Sequence, residues 1–329
     1  MNKNKKMFTK HLLGSALVAA MFATPVMAMP TLTAGLELNL DAMDTQSSNT
    51  AYDESGHVEI GISGRHDSGE YFVQAVGAIR LLSQADGDGD QIEVRDVYLQ
   101  LGDPRWDVQI GRFEAINLFP LGKDTIVSHA GGVPVYEANM VRGRAGTDGG
   151  QVAFHLNPSD NIRLELATIF GDDDLAGDDT TAIAGVRPVV TWAGDGVSVS
   201  LGYERVNYDL TGGGEVDKDG YGITTSFDVA GASVNLAASR QTVDSISQKV
   251  NSYAANMVYG GFGAGLIHSA EEKAGVDADV TTAYLAYTVP LFDIEAASVT
   301  FAGSFSRAEG DAVTDDETNA LRVRFNYDF

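Results

Sequence analysis

The chain has 329 residues, 22 Lys and Arg against 46 Asp and Glu, and a formal net charge of −24. Such an acidic surface repels a phosphate backbone, which excludes nucleic acid as a partner. The absence of Cys excludes disulfides, thiolate metal sites and cysteine nucleophiles together.

The first element is a leader. Lys3, Lys5, Lys6 and Lys10 make a basic start, and Leu12 to Ala23 an apolar stretch too short to span a bilayer. Pro25 then breaks the run, and Val26-Met27-Ala28 supplies a small-residue cleavage pattern. This order predicts a signal peptide over residues 1–28, cut after Ala28, with one domain over 29–329. Its removal takes away four Lys and no acids, leaving the exported chain still more acidic.

From residue 31 onward the pattern has period two. Leu32, Ala34, Leu36, Leu38 and Leu40 alternate with Thr33, Gly35, Glu37, Asn39 and Asp41. At the other end Leu321, Val323, Phe325, Tyr327 and Phe329 alternate with Arg322, Arg324, Asn326 and Asp328. Segments of about ten residues with one apolar and one polar side mark a transmembrane β-barrel. Only a closed barrel of strands satisfies every backbone group within hydrocarbon. The predicted fold is all-β, a sixteen-stranded antiparallel barrel. Its strands fall at 31–41, 56–66, 69–82, 91–103, 105–113, 148–157, 160–170, 181–193, 196–206, 219–229, 231–241, 248–259, 261–270, 278–289, 295–307 and 318–329. The long connections, 42–55, 83–90, 114–147, 171–180, 207–218, 242–247, 271–277 and 308–317, then all fall on one side and the short ones on the other. An even strand count with both ends on the short-turn side is what a bacterial barrel requires.

Three local features carry a resemblance. Val97-Tyr98-Leu99-Gln100-Leu101-Gly102, a tight turn, and Val108-Gln109-Ile110-Gly111-Arg112 form a hairpin ahead of a third connection far longer than the rest. Arg142 and Arg144 precede the sixth strand, and the chain ends on Phe329. In these features the sequence resembles the trimeric porins of Gram-negative outer membranes. Phe113-Glu114-Ala115-Ile116-Asn117-Leu118-Phe119-Pro120 with Lys123-Asp124 is similar to the raffinose-type glycoporin branch. The resemblance implies a homotrimer among outer-membrane lipids and lipopolysaccharide, inserted by the barrel-assembly machinery through Phe329 as its signal. It implies passive diffusion of small hydrophilic solutes, oligosaccharides among them, with no cofactor. A general cation-preferring pore and a sealed structural barrel are the competing readings.

A pore needs a polar lumen, a constriction and selecting charges. The 114–147 connection is long enough to fold into a sixteen-strand lumen as the constriction loop. Alternation turns Arg65, Arg80, Arg163, Arg187, Arg322 and Arg324 inward with Glu37, Glu59, Asp96, Glu165 and Glu204, and the loop adds Glu114, Asp124 and Glu137. Wall arginines facing loop carboxylates are expected to set a transverse field. Strict alternation turns Arg112 outward: either the strand bulges near Gly111, or Arg112 sits at a subunit contact. Phe72, Tyr98, Phe113, Phe119 and Tyr136 are candidates for stacking on sugar rings, whereas Trp106, Trp192, Tyr203, Tyr287 and Tyr327 suit interface girdles.

Two other chemistries are weak. Asp86 opens a calcium-like run, but Gln91 and Val97 stand where the loop needs Gly and Glu, and Asp172, Asp173, Asp174, Asp178 and Asp179 fit a solvated loop. His66-Asp67-Ser68 has the spacing of an outer-membrane phospholipase, but without its flanking residues. His57, His129, His155 and His268 show no metal spacing.

Overall fold

The computed structural model describes residues 29–46, 49–83, 91–145, 149–171, 184–209, 214–311, 313 and 316–329. The expected leader and both Asp-rich runs, at 84–90 and 172–183, lie outside the described residues.

Sixteen strands follow in chain order. They are β1 (Thr31–Thr45), β2 (Ala51–Ser68), β3 (Tyr71–Leu82), β4 (Ile92–Asp103), β5 (Trp106–Arg112), β6 (Gly150–Ser159), β7 (Ile162–Phe170) and β8 (Ala184–Gly194), then β9 (Val197–Asp209), β10 (Glu215–Val229), β11 (Ala232–Val243), β12 (Gln248–Tyr259), β13 (Phe262–Lys273), β14 (Val276–Leu291), β15 (Ile294–Gly310) and β16 (Glu317–Asp328). Each pairs antiparallel with its sequence neighbours, and β1 pairs with β16 to close the barrel. Closure leaves no sheet edge, so each ladder is satisfied without water. The Phe329 amide extends the seam by donating to the Ala34 carbonyl at 3.0 Å, and its ring stacks on Tyr327.

The side-chain alternation is continuous around the ring. Leu164, Leu201, Ile223, Leu266, Leu285, Phe301 and Leu321 project from one face and are exposed, as an apolar band toward lipid must be. The opposite face is polar. Register places Glu37 beside Asn326, Glu59 beside Arg80, Glu165 beside Val189, and Ala167 beside Arg187.

Three departures from strict alternation or length matter. The strands around the sixth and seventh hairpins run longer than predicted: β13 reaches Lys273, and the expected 271–277 loop is reduced to the Ala274-Gly275 turn. Beyond the bilayer both faces of a strand meet water, so Glu271, Glu272 and Lys273 lose the alternation that marks a strand. The second departure is a bulge in β4. Ala78 faces both Arg95 and Asp96, because Gly77 pairs with Val97 and Ile79 with Val94. The extra residue flips the frame toward the N-terminal end of β4, bringing Glu93 and Arg95 onto the inner face with Asp96.

The third concerns Gly111. Its pairing with Tyr98 and Gln151 is regular, so the bulge is not there, and Arg112 pairs with the outward Val97. Yet Gly111 has φ +130°, and a Cβ would lie 2.2 Å from the Val97 carbonyl oxygen. The chain leaves the wall at this point. Gly111→Ala should therefore cost roughly 1–3 kcal/mol, read as a lower urea midpoint for the barrel refolded in lipid vesicles.

Candidate functional site

Between β5 and β6, the described residues 113–145 hold a single 3-10 turn, Ala130–Gly132. A buried segment without regular structure must find partners for its own N–H and C=O groups. Here wall side chains supply them. The Tyr136 amide donates to Ser252 Oγ at 2.9 Å, the Ala130 amide to Ser306 Oγ at 2.9 Å, and Ser269 Oγ donates to the Pro134 carbonyl at 2.7 Å. Asn256 donates to the Pro120 carbonyl at 2.6 Å and the Tyr284 hydroxyl to the Leu121 carbonyl at 2.9 Å. Thr224 and Ser239 donate to the carbonyls of Leu118 and Tyr136. These partners stand on β10 to β15. A segment touching so many strands from outside would cover the apolar band, which is exposed. It therefore lies against the inner face.

Glycines set how closely it lies. A Cβ at Gly202 would meet Leu118 at 2.5 Å, one at Gly222 would meet Ala138 at 2.5 Å, and one at Gly220 would overlap the Tyr136 ring. Neither these glycines nor the Ser and Thr of β10–β15 figure among the expected site residues. Their signal was available: inward positions on β9 to β15 are mostly small or hydroxylic, whereas those on β16 to β4 carry Arg and Glu.

The segment's two ends are held by charge. Arg187, 0% exposed, donates to Glu165 at 3.3 Å, to the Ala138 carbonyl at 3.2 Å and to the Ile116 carbonyl, with Glu204 at 3.8 Å. Glu204 accepts from the Tyr136 hydroxyl at 2.6 Å and from the amides of Met140 and Val141, each at 3.1 Å. Glu165 accepts from the Ile116 amide at 3.2 Å. Burial holds the Tyr136 hydroxyl in its phenol form, and Glu204 beside it acts in the same direction. Arg112, pointing outward by register, curls onto the carbonyls of Val94 and Arg95 and onto that of Ala145. It clasps the end of the loop to the β4 bulge.

These positions correct several expectations. Arg187 is a loop anchor and meets no water. Phe119, 2% exposed, packs among Ala237, Ala254, Ile267 and Tyr284, and Tyr136 is 6% exposed. Neither ring has a free face for a sugar. Phe113 is buried likewise, with Tyr98 set edge-on to it at 6.0 Å. Arg65 pairs with Asp67 and lies 3.9 Å over the Phe72 ring, close to the β2–β3 turn and away from the loop. That pairing engages both carboxylate oxygens of Asp67. Arg163 is half-buried on β7, below the loop anchors.

A group of inward ion pairs lies on β16 to β4 and on the loop face opposite. Arg324 pairs with Glu37 at 3.3 Å and Asp124 at 3.4 Å, and Arg322 with Asp41. Arg80 and Arg95 share Glu59 and Glu93. Arg144 pairs with Asp96 at 2.9 Å and Glu114 at 2.6 Å, and Arg142 with Glu114 at 2.9 Å. Six arginines thus meet seven carboxylates, with both signs on both sides. The expected division into arginine wall and acidic loop holds only at Arg324–Asp124. Below, a cavity of about 700 Å³ includes Glu37, His57, Glu59, Arg80, Asn326 and Asp328 in its lining. On the other side of the loop a cavity of about 360 Å³ is lined by Glu137, Asn139, Tyr208, Lys218 and Gln241. Burial raises the Glu137 carboxyl, opposed by the Asn139 hydrogen bond and Arg142. Among the described residues no cluster of His, Asp and Glu can hold a metal ion.

A lumen lined with paired charges, with a segment laid across it inside a sixteen-strand barrel, has the form of a channel. The family model of the porin-like glycoporin RafY matches residues 39–329. The chain belongs to that family. Structures share the fold at low identity. The anion-selective porin from Comamonas acidovorans aligns with TM-score 0.67 and 14% identity, over 92% of this chain and 100% of that one. The outer membrane channel DcaP of Acinetobacter baumannii aligns with TM-score 0.68 and 10% identity, over 91% and 97%. The trimer form of OmpT, an outer membrane protein of Vibrio cholerae, aligns with TM-score 0.65 and 13% identity, over 92% and 100%. No curated protein matches the sequence. Family and fold make this chain an outer-membrane porin, through which solutes diffuse passively.

Proposed function

We propose that this porin passes neutral oligosaccharides, and that residues 114–147 set its narrowest point. The observation that carries the reading is the near balance of charge in the open half of the lumen. Arg80, Arg322 and Arg324 are each met by carboxylates, while Asp124 and Glu114 keep part of their surface free. Paired charges hold no strong field for a single ion, yet offer donors and acceptors at short intervals to a polyhydroxylated solute. The glycoporin description of the family points the same way. On the outer side of the loop Lys218, Gln241, Asn139 and Glu137 offer further hydrogen bonds beside the apolar flank of Pro134 and Val135. The cavity's volume falls in the about 300–1,000 Å³ range of small-molecule sites.

In this reading three barrels assemble as a trimer, the form in which OmpT of Vibrio cholerae shares this fold. Residues 1–28 direct export and are removed near Ala28. Phe329, ending the seam with its ring exposed, is the signal for the barrel-assembly machinery, and the outward face contacts lipid and lipopolysaccharide.

The test is liposome swelling together with planar-bilayer recording. Raffinose and maltose should swell proteoliposomes and reduce the single-channel current in a concentration-dependent manner. Large conductance without block by any sugar would leave a general pore, and no conductance would overturn the reading.

A further inference from the structure

The permeation path makes no use of His155, whose surroundings are unusual. Its Nδ1 lies 2.6 Å from Asp107 Oδ1 and its Nε2 3.2 Å from Glu165 Oε2, with all three side chains buried. A neutral imidazole has one N–H and one lone pair. With a single donor, one of these contacts would set a nitrogen lone pair against a carboxylate lone pair, away from water. Other groups do not relieve that conflict, because the same oxygens already accept elsewhere. Asp107 Oδ1 takes the Gln100 amide at 2.8 Å, and Glu165 Oε2 takes the Ile116 amide at 3.2 Å, while Arg187 holds the other oxygen, Oε1.

The charged groups around the ring can be enumerated by strand. Asp107 faces it from β5, and Glu165 and Arg163 from β7. From β8, Arg187 reaches Glu165 on its far side, and Glu204 on β9 lies beyond Arg187. Among the described residues, β4 brings the neutral Gln100 and the loop the Ile116 N–H. The buried carboxylates Asp107, Glu165 and Glu204 thus outnumber the single fully buried arginine. Uncompensated buried charge is expensive, and one more proton reduces it.

We propose that a proton resides in the Asp107–His155–Glu165 bridge and that His155 is a positioning residue for the loop. The protonated bridge holds Glu165 beneath the Ile116 amide and Arg187, the point where the loop begins its path across the lumen. As pH rises and the proton leaves, the ring and Glu165 repel, and the anchor at residues 116–118 loosens. The inference rests on the reading that this loop limits the pore.

The experiment compares wild type, His155→Gln and His155→Lys by single-channel conductance between about pH 6 and about pH 10, around the range where His can change charge. The ¹⁵N spectrum of the His ring is recorded in micelles on the wild type. The spectrum should show both ring nitrogens protonated at neutral pH. Wild-type conductance should increase on the alkaline side. His155→Gln should be open and lose the pH dependence, while His155→Lys, which keeps a charge, should stay closed until the upper limit. A neutral-tautomer spectrum, or a His155→Gln profile that rises like wild type, overturns the proposal. If wild type is flat while Arg187→Met still opens the pore, the proton has no role and the loop reading survives. If both are flat, the loop reading has failed.

Discussion

Arg187→Met should release the loop and destabilise the barrel by about 3–5 kcal/mol, the usual result of removing one partner from a buried charge network. Methionine fills the space but leaves Glu165 and Glu204 without their cation, in a site that water does not reach. It also deletes the donors to the carbonyls of Ala138 and Ile116. Loss of those contacts frees both ends of the segment that contains Lys123, Arg142 and Arg144. Trypsin should then cut at these residues in the folded protein, and conductance should rise as the segment leaves the lumen. Adding Glu165→Gln and Glu204→Gln to Arg187→Met should recover part of the stability, because the unpaired charges are gone, without restoring the closed conductance. If the single variant kept its urea midpoint and resisted trypsin, the hydroxyl and glycine contacts along β9 to β15 would be sufficient to hold the loop.

The strands were legible because alternation over about ten residues averages out single exceptions, and because outward apolar side chains, aliphatic or aromatic, meet lipid all around the ring. Connection lengths then separated the two ends of the barrel. What the pattern could not reveal depends on groups far apart in sequence. The β4 bulge exists only relative to β3, so nothing in Glu93-Val94-Arg95-Asp96 announces that three of its four side chains share a face. The apolar content of the loop does not announce what covers it. Phe119 and Tyr136 are apolar because they pack into the wall, and the residues they pack against are the inconspicuous Ala237, Ala254 and Gly220. His155 looked isolated in the sequence for the same reason: its partners are 48 residues before it and 10 after.

The same distribution of roles predicts where ion selectivity can be changed without opening the pore. Arg324 sits on β16, away from the buried anchors, bonded to Asn39 at 2.7 Å and paired with Glu37 and with Asp124, which is 55% exposed. Arg324→Glu shifts the local charge by two units and places a carboxylate among Glu37, Asp41 and Asp124. At a few ångströms in partly screened surroundings this favours a passing cation by about 1–2 kcal/mol, roughly a tenfold gain in cation over anion permeability. The reversal potential across a KCl gradient near about 0.1 M should show it, and at about 1 M, where the screening length falls to about 3 Å, most of it should vanish. The wild type, nearly balanced at this point, should show only a weak cation preference from the acidic mouth. Because Arg324 also tethers Asp124, the loop tip should loosen in Arg324→Glu, and the double variant Arg324→Glu with Asp124→Lys should restore the pair with its polarity reversed. Near-wild-type selectivity in the double variant, against a strong cation preference in the single one, would place Arg324 and Asp124 on the solute path. Unchanged reversal potentials in both would remove this pair from it and leave the Arg80–Arg95 cluster as the selecting charge.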